Sequence, residues 1–358
     1  MKKILVYGMT DNPGGIETYL LNFFRRVQDR DVHLDFVTDF PQVAYAAEFE
    51  KGGARIYYIP AKSRGLVRQW RAMHRILRKH PEYQTVYFNV LDAGGALTML
   101  VPFLMGRRVV VHSHNGATDK KRLHRLCRPL LKIVSSHYAA CSKVAADYMF
   151  GNTKLPVLII PNVIDTAAYA YNPQLREAKR SELGVQDKLV ICHVGRISNQ
   201  KNPFGLIDIF SEIHRKDSNA VLLSVGDGEL ADEFHVYIQK KQLGDAVHCL
   251  GRRSDVAEIL QAADVFLLPS FYEGLPIVAI EAQAAGLPCV ISNSITPEVI
   301  CTDHVTSLSL KLPPAKWADE ILRAARLPRE DTSAQLKKAG FDISCSAQMD
   351  RRLIRMFR

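Results

Sequence analysis

Short apolar segments alternate with longer amphipathic segments along this chain, and the alternation begins twice. In the first half, apolar runs such as Ile4–Tyr7 and Thr85–Asn89 are each followed by a segment with helical periodicity. A polar stretch, 165–183, then interrupts the pattern, which restarts at Leu189. Strands that alternate with helices are typical of parallel sheets covered by crossover helices. The sequence therefore predicts an α/β protein with two doubly wound parallel-sheet domains, divided between 168 and 169.

The element bounds follow from where the apolar runs and the helical periodicity begin and end. In the first domain we expect strands at 4–7, 34–38, 55–59, 85–89, 109–112, 137–140 and 158–160, and helices at 14–27, 66–79, 94–105 and 120–136. In the second domain we expect strands at 189–194, 220–225, 247–250, 265–268 and 288–291, and helices at 203–215, 229–241, 256–262 and 276–285. Ligands of such sheets bind at the carboxyl ends of strands, so functional residues are expected in the loops that follow them.

The apolar runs are too short for a membrane span or a signal peptide. Two lysines precede Ile4–Tyr7, but polar residues soon follow, and no run reaches roughly 18 apolar residues. The seven cysteines are scattered, without the paired spacing of a metal site. We therefore expect a cytoplasmic protein whose cysteines are small buried side chains in a reducing compartment.

Positive charge is concentrated in the first half of the chain. The net charge is +10, yet residues 1–168 carry 24 lysines and arginines against 13 acidic residues, whereas 169–358 carry 23 against 24. Two basic amphipathic segments, 64–79 and 121–134, lie in this half, and Pro129 is expected to kink or split the second. Core-facing helices with charged outer faces are the alternative. Together with the charge excess, the two segments favour docking to an anionic membrane surface, and no nucleic-acid-binding module is present.

The strongest functional signal is a pair of glutamates around a strand-to-helix loop. Glu273 precedes Gly274-Leu275-Pro276, and Glu281 lies just over one turn inside the helix that follows. A carboxylate accepts bidentate hydrogen bonds from vicinal diols, such as those of sugars and riboses. Two solvated glutamates would need no ligand. Because Glu281 lies in an apolar segment and a buried carboxylate needs partners, we assign the pair to a ligand.

A second loop follows the first strand of the second domain. It contains Gly195-Arg196 and then Lys201-Asn202-Pro203. Gly195 lets the backbone approach a ligand closely, and the two cations stand beside the N-terminus of the expected helix. A basic loop with surface ion pairs is the alternative. Since both the cations and the helix N-terminus attract anions, this loop is predicted to bind a diphosphate.

Smaller signals lie at other strand ends. Gly226 and Asp227 are expected to shape a nucleotide pocket, and Arg252 to lie near the base. The segment 29–31 has the Asp-x-Asp spacing of some metal–diphosphate sites, but it follows a helix and is interpreted as a solvated turn.

Two features of the first domain also follow strands. Gly14 and Gly15, in the segment 11–17, stand at a strand-to-helix turn where backbone N–H groups can bind an anion. His112 and His114 close another strand, and either imidazole can bond a sugar hydroxyl or an acceptor. No third ligand lies nearby in sequence, so no metal site is expected.

In their order along the chain, these motifs resemble those of the family 4 retaining glycosyltransferases, which have the GT-B fold. The similarity covers nearly the whole chain, whereas any single motif would be weak evidence. The matched elements are Gly14-Gly15, His112 and His114, 161–165, Gly195-Arg196 with Lys201-Asn202, 225–228, and Glu273 with Glu281. The resemblance implies two Rossmann-like domains that face each other across a cleft. The first, 1–168, would bind the acceptor, the second, 169–340, the nucleotide-sugar donor, and a C-terminal helix, 341–358, would return to the first.

The resemblance also implies roles for single residues of the donor site. Arg196 and Lys201 would bind the donor diphosphate, Glu281 the ribose hydroxyls and Glu273 the transferred sugar. The implied donor site further includes Gly195, Asn202, Gly226, Asp227, Arg252, Gly274, Leu275 and Pro276. Attack would occur on the face that the diphosphate leaves, with the departing phosphate taking the acceptor proton, and with neither a metal nor a cofactor beyond the donor.

In the first domain, Gly14 and Gly15 would reach the distal donor phosphate through backbone amides, and His114 would lie near the sugar or the acceptor. The chain departs from the family pattern at Val163, where glycine is usual, and in 292–299, which lacks a common glycine. Its C-terminal part resembles the capsule and exopolysaccharide subgroup. That subgroup implies a UDP-sugar donor and a lipid-linked saccharide acceptor on the inner face of the cell membrane.

Two other functions fit parts of the pattern. A sugar-nucleotide epimerase of the same fold would share the diphosphate site but needs acid and base groups that face C2 of the sugar. A non-catalytic partner subunit would be expected to have a degenerate site. The presence of all four charged residues, Arg196, Lys201, Glu273 and Glu281, argues for activity.

Overall fold

The computed structural model describes residues 1–11, 14–151, 153 and 155–358 of the chain. These residues form two compact units, the first comprising Met1–Asn162 with Cys345–Arg358 and the second Val163–Ser344. The division after Asn162 lies a few residues before the expected boundary between 168 and 169. Each unit is built on one parallel sheet with crossover helices, which confirms the predicted α/β class.

The first unit contains a seven-stranded sheet. Its strands are β1 (Lys2–Tyr7), β2 (Val32–Thr38), β3 (Ile56–Tyr58), β4 (Tyr83–Val90), β5 (Arg108–Ser113), β6 (His137–Ala140) and β7 (Val157–Ile159). They pair in the order β3-β2-β1-β4-β5-β6-β7. Its helices before the division are α1 (Gly15–Val27), α2 (Ala46–Lys51), α3 (Leu66–Lys79), α4 (Ala96–Leu104), α5 (Lys121–Val134) and α6 (Lys143–Phe150). The strand order reverses between β1 and β4, the place where ligands of open α/β sheets bind.

The helix α5 runs without interruption through Pro129. Of the two expected effects of this proline, a kink or a split, the split is therefore wrong. Cys127 and Leu131, on either side of it, are buried, and this packing offsets the hydrogen bond that proline removes. Within the described ranges, neither α5 nor any other helix is long and apolar enough to cross a membrane.

The second unit contains a six-stranded parallel sheet. Its strands are β8 (Leu189–Val194), β9 (Ala220–Val225), β10 (Val247–Gly251), β11 (Val265–Leu268), β12 (Cys289–Ser292) and β13 (Val305–Leu308), in the order β10-β9-β8-β11-β12-β13. Its helices are α7 (Thr166–Tyr169), α8 (Pro173–Glu182), α9 (Pro203–Lys216), α10 (Ala231–Lys240), α11 (Val256–Ala262), α12 (Ile277–Ala284), α13 (Pro314–Ala324) and α14 (Ser333–Lys338). The strand order reverses between β8 and β11, so the loops after these two strands adjoin each other.

The polar stretch 165–183, at which the sequence predicts the domain boundary, forms the two helices α7 and α8 of the second unit. Asn172 caps α8 by accepting a hydrogen bond from Leu175 N, 3.0 Å away. Lys179, although buried, forms ion pairs with Asp255 and Glu258, at 2.9 and 2.8 Å. A helix that buries charged side chains in ion pairs has no apolar face, so hydrophobic periodicity alone does not reveal it.

The last helix, α15 (Ser346–Met356), packs on the first unit, of which it is a part. Leu353 and Phe357 belong to the apolar core of that unit and are at most 1% exposed. Asp350 accepts a hydrogen bond of 2.7 Å from Arg26 Nε. Each buried side chain of this size contributes about 1.5–3 kcal/mol, so these contacts hold the C-terminus on the first unit.

Candidate active site

A lysine and a glutamate from neighbouring loops meet in the second unit. Lys201 ends a single 3-10 turn after β8, and Glu273 lies between β11 and α12. Lys201 Nζ lies 2.7 Å from Glu273 Oε1, with the two side chains 13% and 8% exposed. Gln200 Nε2 donates to the other carboxylate oxygen at 3.0 Å. The predicted phosphate-binding cation and the predicted sugar-binding carboxylate thus form one ion pair.

Asn202 holds these two loops in place. Its backbone is left-handed, with φ of 55°, and its Oδ1 caps α9 by accepting from Gly205 N at 3.2 Å. Its Nδ2 donates to Pro269 O at 3.1 Å, and the N–H of Phe271 donates to Gln200 O at 2.9 Å. Asparagine tolerates the left-handed conformation better than other side chains. The Lys201 loop is therefore tied to the Glu273 loop through several bonds rather than one ion pair.

Two glycines allow the ends of β8 and β9 to approach each other. Gly226 has φ of +132°, and a Cβ built on it would lie 2.0 Å from Gly195 O. A Cβ on Gly195 would lie 2.9 Å from Lys201 Cε. Glycine is required at Gly226 by both the backbone conformation and the contact. The two predicted donor-site glycines are therefore in contact, and Gly195 leaves space for the Lys201 side chain.

The two predicted arginines have different surroundings from Lys201. Arg196 is 59% exposed, and its Nε lies 3.0 Å from the exposed Glu229 carboxylate. Arg252 Nε lies 3.4 Å from Asp227 Oδ2, and both of these side chains are about half exposed. Exposed pairs contribute little, about 0–1 kcal/mol. An anionic ligand can therefore take either arginine from its present partner.

Glu281 lies inside α12 and is buried. Tyr169, in α7, donates its hydroxyl proton to Glu281 Oε1 over 2.8 Å. Burial raises the pKa of Glu281 to about 7, although this hydrogen bond lowers it. The sequence does not reveal Tyr169, because it lies in the polar stretch 165–183, where no motif marks it.

The segment between the two glutamates is buried. Gly274, Leu275 and Pro276 connect Glu273 to α12, with Leu275 only 5% exposed. Pro276 is the N-cap of α12, whereas the sequence predicts it as the first residue of the helix. The proline presets the backbone that leads into the helix and needs no hydrogen-bond acceptor there.

His193 is a further buried group beside Lys201 that the sequence did not single out. Its Nδ1 lies 3.0 Å from Leu267 O, to which only a protonated ring nitrogen can donate. Burial, followed by the nearby Lys201 charge, lowers the pKa of His193 to about 4. The imidazole is therefore neutral at pH 7. Its hydrogen bond joins β8 to β11 near the ends of the strands from which the two loops begin.

In the first unit, His114 and His112 lie side by side, with ring centroids 4.0 Å apart. His114 Nε2 donates to Asn89 Oδ1 at 2.9 Å, and His112 Nδ1 lies 2.5 Å from the Tyr87 hydroxyl. Burial lowers the pKa of His114 to about 3. The pKa of His112 is also well below its usual value, because of burial and then the neighbouring His114. Both imidazoles are neutral hydrogen-bonding groups at physiological pH.

The predicted glycine turn is at the start of α1. Gly14 is the N-cap of the helix, Gly15 is its first residue, and both are exposed. Glu17 in the first turn is buried and accepts hydrogen bonds from the N–H and hydroxyl of Thr10, each 2.9 Å long. Asn12 and Pro13, which belong to the predicted loop, lie outside the described residues. Elsewhere in the described ranges, no group of three or more His, Cys, Asp or Glu could hold a metal ion.

Comparison with known proteins agrees with these features. The family model described as "Glycosyltransferase Family 4" matches residues 13–168, and that described as "Glycosyl transferases group 1" matches residues 176–342. EpsF of Bacillus subtilis (strain 168), assigned to the glycosyltransferases, is 33% identical over 348 residues, which cover 92% of this chain and 90% of EpsF. The chain belongs to glycosyltransferase family 4. The predicted family is therefore confirmed.

Other relatives of this family 4 glycosyltransferase are more distant. The UDP-Gal:alpha-D-GlcNAc-diphosphoundecaprenol alpha-1,3-galactosyltransferase of Escherichia coli is 27% identical over 259 residues, covering 67% of this chain and 66% of that protein. The crystal structure of Anabaena Alr3699/HepE in complex with UDP and glucose has a TM-score of 0.83 at 20% identity, with 99% of both chains covered. That of WaaG, involved in lipopolysaccharide biosynthesis, has a TM-score of 0.74 at 18% identity, again with 99% of both chains covered. These likenesses confirm the predicted GT-B fold.

Proposed function

We propose that this glycosyltransferase transfers a sugar from a UDP-sugar to a lipid-linked saccharide with retention of anomeric configuration, in capsule or exopolysaccharide synthesis. The observation that carries the proposal is the Lys201–Glu273 pair, a mostly buried cation and carboxylate at the end of β8 and β11. Phosphate and sugar hydroxyls are the natural ligands of such a pair. The names of the Escherichia coli and Anabaena proteins, which mention UDP-Gal, UDP and glucose, support UDP.

The donor diphosphate binds to Lys201 and Arg196. In the structure both cations are occupied by carboxylates, Glu273 and Glu229. When the diphosphate arrives, Arg196 leaves its exposed partner at little cost. Lys201 keeps Glu273 nearby, so the carboxylate is available for hydroxyls of the sugar attached to that diphosphate.

Glu281 binds the ribose hydroxyls. With a pKa of about 7, the carboxyl is half protonated near neutral pH. The ionised form accepts hydrogen bonds from both ribose hydroxyls, whereas the protonated form donates one hydrogen bond. Ribose binding therefore favours the ionised form, and Tyr169 stabilises that form through its hydrogen bond.

Transfer occurs on one face of the sugar. The bond between the anomeric carbon and the diphosphate oxygen breaks, while the acceptor hydroxyl oxygen bonds to the same face of that carbon. The acceptor proton passes to the departing diphosphate oxygen. Lys201 and Arg196 stabilise the negative charge that develops on this diphosphate, so the protein's contribution is largely electrostatic and requires neither a metal nor a cofactor.

The first unit supplies the acceptor side. Gly14 and Gly15 offer backbone N–H groups to the distal phosphate, and the neutral His114 bonds a hydroxyl of the sugar or the acceptor. The lipid-linked acceptor places the protein on the inner face of the cell membrane, held there by the basic first half. The Escherichia coli relative, whose name includes diphosphoundecaprenol, supports this class of acceptor.

A thermal-shift series followed by product analysis tests the proposal. UDP is expected to raise the melting temperature more than ADP or GDP, because a ligand at 100 times its Kd stabilises the native state by about 2.7 kcal/mol. Transfer from UDP-α-sugars to a synthetic lipid diphosphate saccharide should give an α-linked product by proton NMR. A β-linked product would overturn retention, and absence of any UDP effect would overturn the donor.

Two control reactions separate the other candidate functions. Incubation with UDP-sugar alone yields a C2 epimer only if the protein is an epimerase. A protein that binds UDP-sugar but transfers nothing to any lipid-linked acceptor would instead be a partner subunit.

A further inference from the structure

One face of α3 forms a wall of a surface groove in the first unit. Trp70, Arg71, His74, Arg75 and Arg78 follow the three- and four-residue spacing of a single helical face. The buried face of the same helix carries Gln69, Met73 and Leu77. The opposite wall comes from the end of α4, including Leu104 and Met105. The groove has a volume of about 520 Å³, within the usual range of small-molecule sites, about 300–1,000 Å³.

The groove is apolar on one side and cationic on the other. Leu104 is 76% exposed, a high value for a leucine. Trp70 is fixed by a hydrogen bond of 2.6 Å from its Nε1 to Leu97 O. No acidic residue lines the groove, and among the described residues none lies within ion-pair distance of Arg71, Arg75 or Arg78. The three guanidinium groups are therefore available to an anion.

We infer that this groove binds one anionic phospholipid of the bilayer. The phosphate of the headgroup lies against Arg71, Arg75 and Arg78, and part of one acyl chain lies along Trp70 and Leu104. Guanidinium groups bind phosphate through paired hydrogen bonds, and the apolar wall takes the chain out of water. The inference rests on the proposed membrane location and extends it from a diffuse charge attraction to a single site.

The neighbouring surface favours a bilayer lipid over a soluble phosphate. The helix α4 packs against both α3 and α5. On α5, Leu126 and Ile133 are 75% and 65% exposed among basic residues. A soluble phosphate would bind to the arginines alone and would make no use of the exposed apolar side chains of Leu104, Leu126 and Ile133. A surface that mixes arginine with exposed apolar residues matches the boundary between headgroups and acyl chains.

Fluorescence of Trp70 provides a direct test. The only other tryptophan, Trp317, is 1% exposed in the core of the second unit. Vesicles of phosphatidylglycerol with brominated acyl chains should quench the Trp70 emission, and vesicles of brominated phosphatidylcholine should not. A soluble dihexanoyl phosphatidylglycerol should compete, whereas equimolar inorganic phosphate should not. Quenching that is equal for both vesicle types, or competition by phosphate alone, would overturn the inference.

A matched pair of variants separates the site from overall charge. Arg71→Ala/Arg75→Ala removes two charges from the groove, and Arg68→Ala/Lys79→Ala removes two from the same helix outside it. We expect the groove variant to bind phosphatidylglycerol vesicles at least tenfold more weakly and the control less than threefold more weakly. An equal loss of vesicle binding in the two variants would show that binding depends on the overall charge of the helix and not on this groove. Transfer to a water-soluble acceptor tests the proposed function separately, since it should be unchanged in both variants.

Discussion

Lys201 Nζ lies 2.7 Å from Glu273 Oε1, although the two residues are far apart in sequence. They are neighbours because β8 and β11, whose ends carry their loops, pair in the sheet. Both side chains are mostly buried, so each charge depends on the other for compensation. The stability of the second structural unit and the proposed binding of the donor diphosphate therefore depend on the same ion pair.

Replacing Lys201 with methionine keeps the aliphatic stem and removes the cation. Glu273 then becomes an unpaired, nearly buried carboxylate, so the free energy of unfolding should fall by about 3 kcal/mol. Transfer should fall at least about 100-fold, because the departing diphosphate loses its buried counter-charge. Urea denaturation and initial transfer rates measure the two effects.

The double variant Lys201→Met/Glu273→Gln should recover most of the lost stability but none of the activity. As a control, Lys216→Met removes a lysine whose partner, Asp319, has a 55% exposed side chain, and it should cost less than about 1 kcal/mol. If the double variant is no more stable than Lys201→Met, the two charges are not coupled.

Arg196→Ala should separate activity from stability. Because Arg196 and Glu229 are both more than half exposed, its loss should change the free energy of unfolding by less than about 1 kcal/mol. Transfer should nevertheless fall at least about 100-fold, since the arginine would stabilise the leaving diphosphate. Near-normal transfer by this variant at saturating donor would contradict the assignment of Arg196 to the donor site.

Glu281 should make stability depend on pH. Its folded pKa of about 7 lies above the ordinary value of 4.5, so the folded state binds the proton more tightly than the unfolded state. The free energy of unfolding should therefore fall as pH rises from about 4.5 to about 7, by about 3 kcal/mol, and then level off. Comparison with Glu281→Gln isolates this group, because the difference between the two stability curves should follow that window.

Tyr169→Phe should raise the pKa of Glu281 further. The tyrosine hydroxyl donates to the carboxylate at 2.8 Å and favours its ionised form. The upper end of the pH window should move to higher pH, and UDP should bind more weakly at pH 7. Tyr171→Phe is the matched control, since the ring of Tyr171 stacks under Arg329 and is kept. A titration that is the same in both variants would contradict the assignment.

Gly226→Ala should distort the donor site through the backbone. The added Cβ would lie 2.0 Å from Gly195 O at a φ of +132°, so we expect a loss of about 3 kcal/mol in stability together with weaker UDP binding. Gly184→Ala also introduces a side chain at positive φ, +69°, but nothing lies within 4 Å of its Cβ. That control should cost about 1 kcal/mol and leave UDP binding unchanged.

The strands of both sheets except β13 could be predicted from the sequence, because parallel strands are usually buried on both faces, whereas β13 is only partly buried. Strands buried on both faces are continuous apolar runs, and those at Leu189–Val194 and Val265–Leu268 have the predicted bounds. The loops after them could also be proposed as the site from the sequence, because ligands of open α/β sheets bind at the carboxyl ends of strands. The polar helix α8 could not, because its inward-facing charges make ion pairs instead of an apolar stripe.

The fold class and the chemical character of Lys201, Glu273 and Glu281 can be read from the amino-acid sequence. The contacts follow only from the folded chain, in which Lys201 forms an ion pair with Glu273 and Tyr169 donates a hydrogen bond to Glu281. The protonation of Glu281 also follows from the folded chain, because its pKa depends on burial. The physical reason is that hydrophobic periodicity is local, recorded in successive residues, whereas the desolvation and pairing of a charge depend on residues that only the strand order brings together.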